Sequence, residues 1–399
     1  MGECIRMQYP KCVSLGLALW LGCSCMAQTP APAAADKPAA ATDKPADAAP
    51  PAAPAPPTWS VGPIDFSGLV DGYYALNFNH PASRNNGLYN FDVKANQFSL
   101  NMAKLSMSHT ADPVGFQVDF GFGRAFDIIH GAEQAPSIFR NIEQAFVSLK
   151  PKTTKGLQVD FGKFVTSAGA EVIETNANWN YSRSLLFAWA IPYYHFGVRA
   201  SMPVGAHFTA GAALLNGWNN VEDNNSGKTV MLSGTFTSKK VTWFNNYHVG
   251  PEKNAFDADG LRQKGVRNLY DTTLLLTPSD KANFYINYDY GNDKRTLKGS
   301  DTWSGIALAA RFAPNSTWAI APRFEYFSDK DGFTTGVAQK VKEFTLTGEY
   351  KMVEGLLARL EYRRDWSDQP FFDRGSGLAV AKNQTTIVLG IVAFFGPKR

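Results

Sequence analysis

Beyond residue 25 the sequence has no cysteine: Cys4, Cys12, Cys23 and Cys25 all lie near its start. Once cut after Ala27, the chain has no disulfide, no thiolate metal site and no cysteine nucleophile. Charge is scarce too. Asp, Glu, Lys and Arg make up 19% of the residues, against about 25% in soluble domains. A net charge of +4 over 399 residues is too small to point to nucleic acid. Beyond the leader, no stretch approaches the ~18 consecutive apolar residues of a membrane-spanning helix. The six histidines (His80, His109, His130, His195, His207 and His248) sit in no nucleophile motif and show no metal-binding spacing. No metal or cofactor is expected. Aromatics and glycine, by contrast, are abundant: 28 Phe, 15 Tyr, 9 Trp and 34 Gly.

Residues 1–27 read as a secretory signal. Arg6 and Lys11 give a positive start, Val13 to Leu21 a short apolar stretch, and Ala27 a small residue before the cut. Lipoprotein processing at Cys23 is a rival. Residues 28–58 follow as a linker; 13 Ala and 9 Pro in Thr29 to Pro57 form no core, and such a segment is a semi-extended periplasmic tether.

From Trp59 the texture is period two. Phe66, Val70, Tyr74 and Leu76 alternate with Ser67, Asp71, Tyr73 and Asn77; Trp318, Ile320, Phe324 and Tyr326 alternate with Arg323 and Glu325. That is the signature of strands with one apolar and one polar face. Sixteen strands are expected: 64–78, 97–110, 113–124, 139–150, 157–166, 193–202, 207–216, 229–238, 241–250, 268–277, 281–291, 301–313, 317–328, 340–351, 355–366 and 384–395. Met102 to Met107 switches parity, which suggests a bulge, and residues 142–149 are apolar on both parities. The connections alternate, long after odd strands and short after even ones. Transmembrane barrels have an even strand number, short periplasmic turns and long external loops. The expected fold is an all-β, transmembrane antiparallel β-barrel of about sixteen strands over 59–399, in the bacterial outer membrane with the N-terminal linker in the periplasm.

Closure removes the unpaired strand edges that lipid cannot satisfy. Sixteen strands leave an aqueous lumen, so the polar parity faces water. It carries Asp71, Asp119, Asp289, Glu325, Glu343, Glu349 and Glu361 with Arg323, Arg359 and Arg363; the set reads as lumen wall and electrostatic filter. The connection 167–192, at 26 residues, is the longest. Its Leu185, Leu186, Phe187, Trp189 and Ile191 suit water poorly. It is expected to fold inward and narrow the pore, with Glu171, Glu174 and Arg183 as its charges and His195 and Arg199 on the adjoining strand; an external lid or subunit contact stays open as the alternative.

The segment Phe161 to Val172, then Asn178 to Ser184, Ile191 to Arg199, Asn216-Gly217-Trp218-Asn219 and Asn245 to Glu252 resembles the β-barrel porin-2 family, the OmpL-like outer-membrane porins. The resemblance covers about 60–399. It implies an outer-membrane barrel that passes solutes, and it supplies no catalytic residue. The last strand ends on Phe395 with Gly390 five residues earlier, similar to an outer-membrane assembly signal, although four residues follow. The function expected is therefore a porin for passive diffusion of small hydrophilic solutes or ions, not an enzyme. Its expected partners are outer-membrane lipid, the barrel-assembly machinery and those solutes, with a homo-oligomer left open. The rivals are a non-conducting anchor or adhesin and an outer-membrane hydrolase.

Overall fold

A computed structural model describes residues 59–131, 133, 137–253, 265–294 and 299–396. The signal, the linker and the last three residues lie outside the described residues. Sixteen strands make the wall: β1 (Ile64–Asn77), β2 (Phe98–His109), β3 (Val114–Phe122), β4 (Ile142–Leu149), β5 (Gln158–Val165), β6 (Tyr194–Val204), β7 (Phe208–Leu215), β8 (Thr229–Thr237), β9 (Val241–Gly250), β10 (Arg267–Ser279), β11 (Ala282–Lys294), β12 (Ser300–Phe312), β13 (Trp318–Asp329), β14 (Gln339–Val353), β15 (Leu356–Ser367) and β16 (Asn383–Phe395). Each pairs antiparallel with its chain neighbour, and β16 returns to β1 with Leu389 opposite Tyr74. The sheet is a closed barrel with no free edge.

The apolar parity points outward. On β13, Trp318, Ile320, Phe324 and Tyr326 are exposed while Ala319, Ala321, Arg323 and Glu325 are buried. An open lumen would leave that inner parity wet, so its burial means something fills the barrel. Pro322 sits mid-strand, and the β12–β13 ladder lapses between Ala309–Arg323 and Phe312–Ile320, where proline has no N–H to give.

The structure differs from the alternation in three places. The bulge in β2 falls at Asn101, between the Gly72–Leu100 and Asp71–Met102 pairs. A second register shift, between Gln144 and Ile142, leaves Glu143 without a partner on β3, and this breaks the parity of β4. β4 itself starts later than expected, because Ser137–Asn141 forms a 3₁₀ turn. The expected end of β3 turns instead into a short helix, Arg124–Ile129. Two small pairings lie outside the wall: Ser60–Val61 folds back on Ile64 and Asp65, and Phe372–Asp373 pairs with Ala379–Ala381.

Candidate functional site

Between β5 and β6 the chain runs through residues 166–193 as irregular backbone that is almost wholly buried. Buried peptide groups away from a ladder need partners, and this segment makes them locally. The Asn178 side chain accepts from Val172 N at 2.9 Å and donates to the carbonyls of Val172 and Glu174 at 2.7 and 2.9 Å. Arg183 donates to the carbonyls of Val172, Tyr181 and Ile173 at 2.9, 2.5 and 2.5 Å. The guanidinium is thus an internal brace. Ser184 caps the short helix Leu185–Trp189, its hydroxyl accepting from Phe187 N at 2.9 Å.

The wall then takes hold of the segment. Glu361 on β15 accepts from Tyr181 N and Ser182 N at 2.6 and 2.9 Å. Arg359 donates to the carbonyls of Thr175 and Asn180 at 2.5 and 3.1 Å, and Arg363 to that of Arg183 at 2.7 Å. Arg323 on β13 reaches the Ser182 carbonyl at 2.9 Å and the Glu171 carboxylate at 2.7 Å. Glu171 also accepts from Ser184 N at 2.7 Å, and Glu325 from Leu186 N at 3.2 Å. Asp71 on β1 receives the Tyr181 hydroxyl at 2.7 Å. These charges bind backbone in a buried interior, where hydrogen bonds to ions are stronger than in water.

Two glycines make room for the segment. A Cβ on Gly390 would stand 2.1 Å from the Tyr181 ring, and one on Gly305 would stand 2.7 Å from Leu186 Cδ1. Leu185, Leu186 and Ile191 complete the seat by packing with Trp303, Phe327 and Val341, and Trp303 Nε1 donates to the Ala190 carbonyl at 2.9 Å.

The remaining candidates fall as follows. Glu343 lies between Arg323 and Arg363, at 3.2 and 3.8 Å. Glu349 joins Arg311 and Arg359, at 2.7 and 2.6 Å. Asp289 is buried on β11 opposite Asp271. His195 bonds the Gly217 carbonyl at 3.0 Å and Thr166 Oγ1 at 3.2 Å and stacks on His248. Arg199 pairs with Asp160 at 2.8 Å and covers the Phe164 ring at 4.3 Å. Asp119 and Glu174 join Glu143 around one ammonium: Lys104 Nζ lies 3.2 Å from Asp119 and touches the other two. The three carboxylates come within 4.8 Å of one another, and the lysine holds the centre that an ion would take.

Other groups at the site were not singled out from sequence. Lys104, Glu143 and Asp271 belong to the wall, and Leu88 to Phe91 of the first loop also turn inward. Asn90 donates to Tyr193 Oη at 2.7 Å, and the Leu88 carbonyl accepts from Trp189 Nε1 at 3.0 Å. The run Leu88-Tyr89-Asn90-Phe91, apolar inside a long loop, was the available signal. Space also remains against β5–β9. A cavity of about 160 Å³ is lined there by Ser167, His195, Arg199, Ser201, Thr209, Ser233, Thr235 and Asn246 among others.

Residues 63–395 match the family described as "Putative beta-barrel porin-2, OmpL-like". No curated protein matches the chain. Among solved structures, outer-membrane expressed OmpT of Vibrio cholerae is similar with 13% identity, over 83% of this chain and 97% of that one, at a TM-score of 0.55. The anion-selective porin from Comamonas acidovorans gives 12%, 83%, 99% and 0.54. The outer membrane channel DcaP of Acinetobacter baumannii gives 10%, 83%, 97% and 0.55. At these identities the likeness bears on the fold: all three share this barrel.

Proposed function

Because the chain belongs to the OmpL-like β-barrel porin-2 family, we propose that it is an outer-membrane pore in which residues 166–193 set the narrowest section. Small hydrophilic solutes diffuse through it. The observation that carries this reading is how the segment is held. Its stretch 171–186 is bonded to β13, β15 and β1, and Ser167 and Gly169 are bonded to β9 and β10, so the passage runs beside these anchors, along β5–β9. There hydroxyl and amide groups of Thr166, Ser167, Thr209, Ser233 and Asn246 stand among Phe164, Met231 and Phe244, with Arg199 as the charge, itself paired with Asp160. Such a lining offers hydrogen bonds without a strong field and suits solutes that exchange water for hydroxyl contacts. Residues 1–27 then export the chain, 28–58 tether it on the periplasmic side, and the long connections lie outside.

The density of bonds to the segment favours a second reading, a shut barrel that serves as an anchor. Planar-bilayer recording separates the two. The pore reading expects current steps, and Thr209→Asp, which puts a carboxylate beside the β5–β9 passage, should shift the reversal potential toward cations. Silence from well-folded protein would support the anchor.

A further inference from the structure

The lumen accounts for most of the charged strand residues, but three stand together on the outside of the barrel, on two adjoining strands. Lys340 and Lys342 are exposed on the outward parity of β14, and Arg364 is half-buried on that of β15. Lys342 lies directly opposite Trp366, and Arg364 opposite Phe344. Lys342 and Arg364 are therefore diagonal neighbours, about 7–8 Å apart, and Lys340 is two residues along the same strand. All three lie in the outer part of the wall: β14 begins just after the connection 330–338, and β15 ends just before 368–382.

A basic group facing hydrocarbon is costly at mid-membrane and nearly neutral at the interface, so these three belong at headgroup level. Their surroundings do not neutralise them. Glu325 and Glu343 face inward to Arg323. Asp368 accepts from the Lys340 backbone N–H at 2.8 Å. Arg364 leans on the Trp366 ring at 5.2 Å, and its Nε is enclosed without a hydrogen-bond partner. Below them the wall opens into a shallow, mainly apolar groove of about 830 Å³, lined by Phe324, Tyr326, Phe344 and Trp366 beside Lys342, with Glu325 and Glu343 also in its lining.

We propose that this groove binds a phosphate-bearing lipid of the outer leaflet, its phosphate held by Lys340, Lys342 and Arg364 and an acyl chain laid over Phe324 and Phe344. Cations at headgroup height above an aromatic slot match the two ends of such a molecule. The inference rests on the outer-membrane orientation proposed above with the long connections outside. It does not depend on conduction, because all the groups concerned face away from the lumen.

The test is native mass spectrometry of the folded full chain in detergent, titrated with lipid A, with dephosphorylated lipid A and with diacylglycerol. Wild type should retain lipid A selectively, and retention should fall with added salt. Lys342→Gln combined with Arg364→Gln should weaken it about thirtyfold, at about fivefold for each basic group. Lys342→Arg should keep it. Heat-modifiable migration of each variant reports folding, and unchanged bilayer conductance separates this result from the pore reading. Equal retention of all three lipids would mean a merely greasy groove. Equal retention by wild type and double variant would also overturn the proposal. So would a change in oligomeric state with lipid retention untouched, which would make the groove a subunit contact.

Discussion

Gly390 shows how one side chain too many would reach the site. It lies on β16 facing the lumen, and a Cβ there would overlap the Tyr181 ring at 2.1 Å. The resemblance to an assembly signal gives this glycine one role; the structure gives it a second, which is testable by itself. Gly390→Ala should unseat Tyr181 and raise conductance, and Tyr181→Ala in the same chain should restore the yield of heat-stable barrel. If the double variant is no better than the single one, the glycine is not there for the tyrosine. Phe395 can be tested in the same way. Its ring packs 4.6 Å from that of Trp59 and occupies the place of a Cβ on Gly68, across the closing seam. Phe395→Ala should lower the yield of folded barrel by loosening β16 against β1. Asp92, in the first loop, supplies a pH dependence. Burial, reinforced by Glu361, raises its carboxyl to about 7, against the pull of Arg363. A folded-state value above the ordinary one means the packed loop holds the proton more tightly. Packing is therefore strongest below about pH 4 and weakens as pH rises toward 7, by up to about 1.4 kcal/mol per unit in that window. Limited proteolysis of the loop should show this rise in susceptibility, and Asp92→Asn should flatten it. A flat profile in wild type would contradict the assignment.

At the scale of elements, the alternation of apolar and polar residues located most of the sixteen strands, and apolar runs marked 142–149 and 386–395. A two-residue period leaves little choice where one face meets lipid and the other is polar. It lost its grip at Asn101 and Glu143, because an extra residue in one strand reverses parity without changing composition. The length of 167–192 and its apolar end marked it as unusual. The sequence could not say which wall it would sit on, since that depends on Glu361, Arg359 and Arg323, which lie roughly 140–190 residues further along the chain. Leu88 to Phe91 was missed because its contacts are with the inserted segment and with wall residues far along the chain, such as Arg363. The orientation of the elements is open to labelling. A cysteine placed at Ser376, in the exposed connection before β16, should react with an impermeant thiol reagent on intact cells, whereas one at Asn315, in the turn between β12 and β13, should not. Labelling of Asn315→Cys alone would reverse the barrel.

For the whole molecule, the wall and the segment divide the work. The strands satisfy one another's backbone and present apolar side chains outward, which suffices to stand in lipid. The lumen charges do a different job: Glu361, Arg359, Arg363 and Arg323 all bind the backbone of 166–193. On the proposed reading, what sixteen strands would leave as a wide channel is reduced to the strip along β5–β9. The central claim is that this segment, not the wall, limits passage, and single-channel conductance after deletion of residues 170–184 tests it most directly. The strands and their ladder are untouched by that deletion, so a heat-modifiable barrel should still form, and the account predicts a conductance clearly above that of wild type. A folded deletion variant with the wild-type conductance would contradict it.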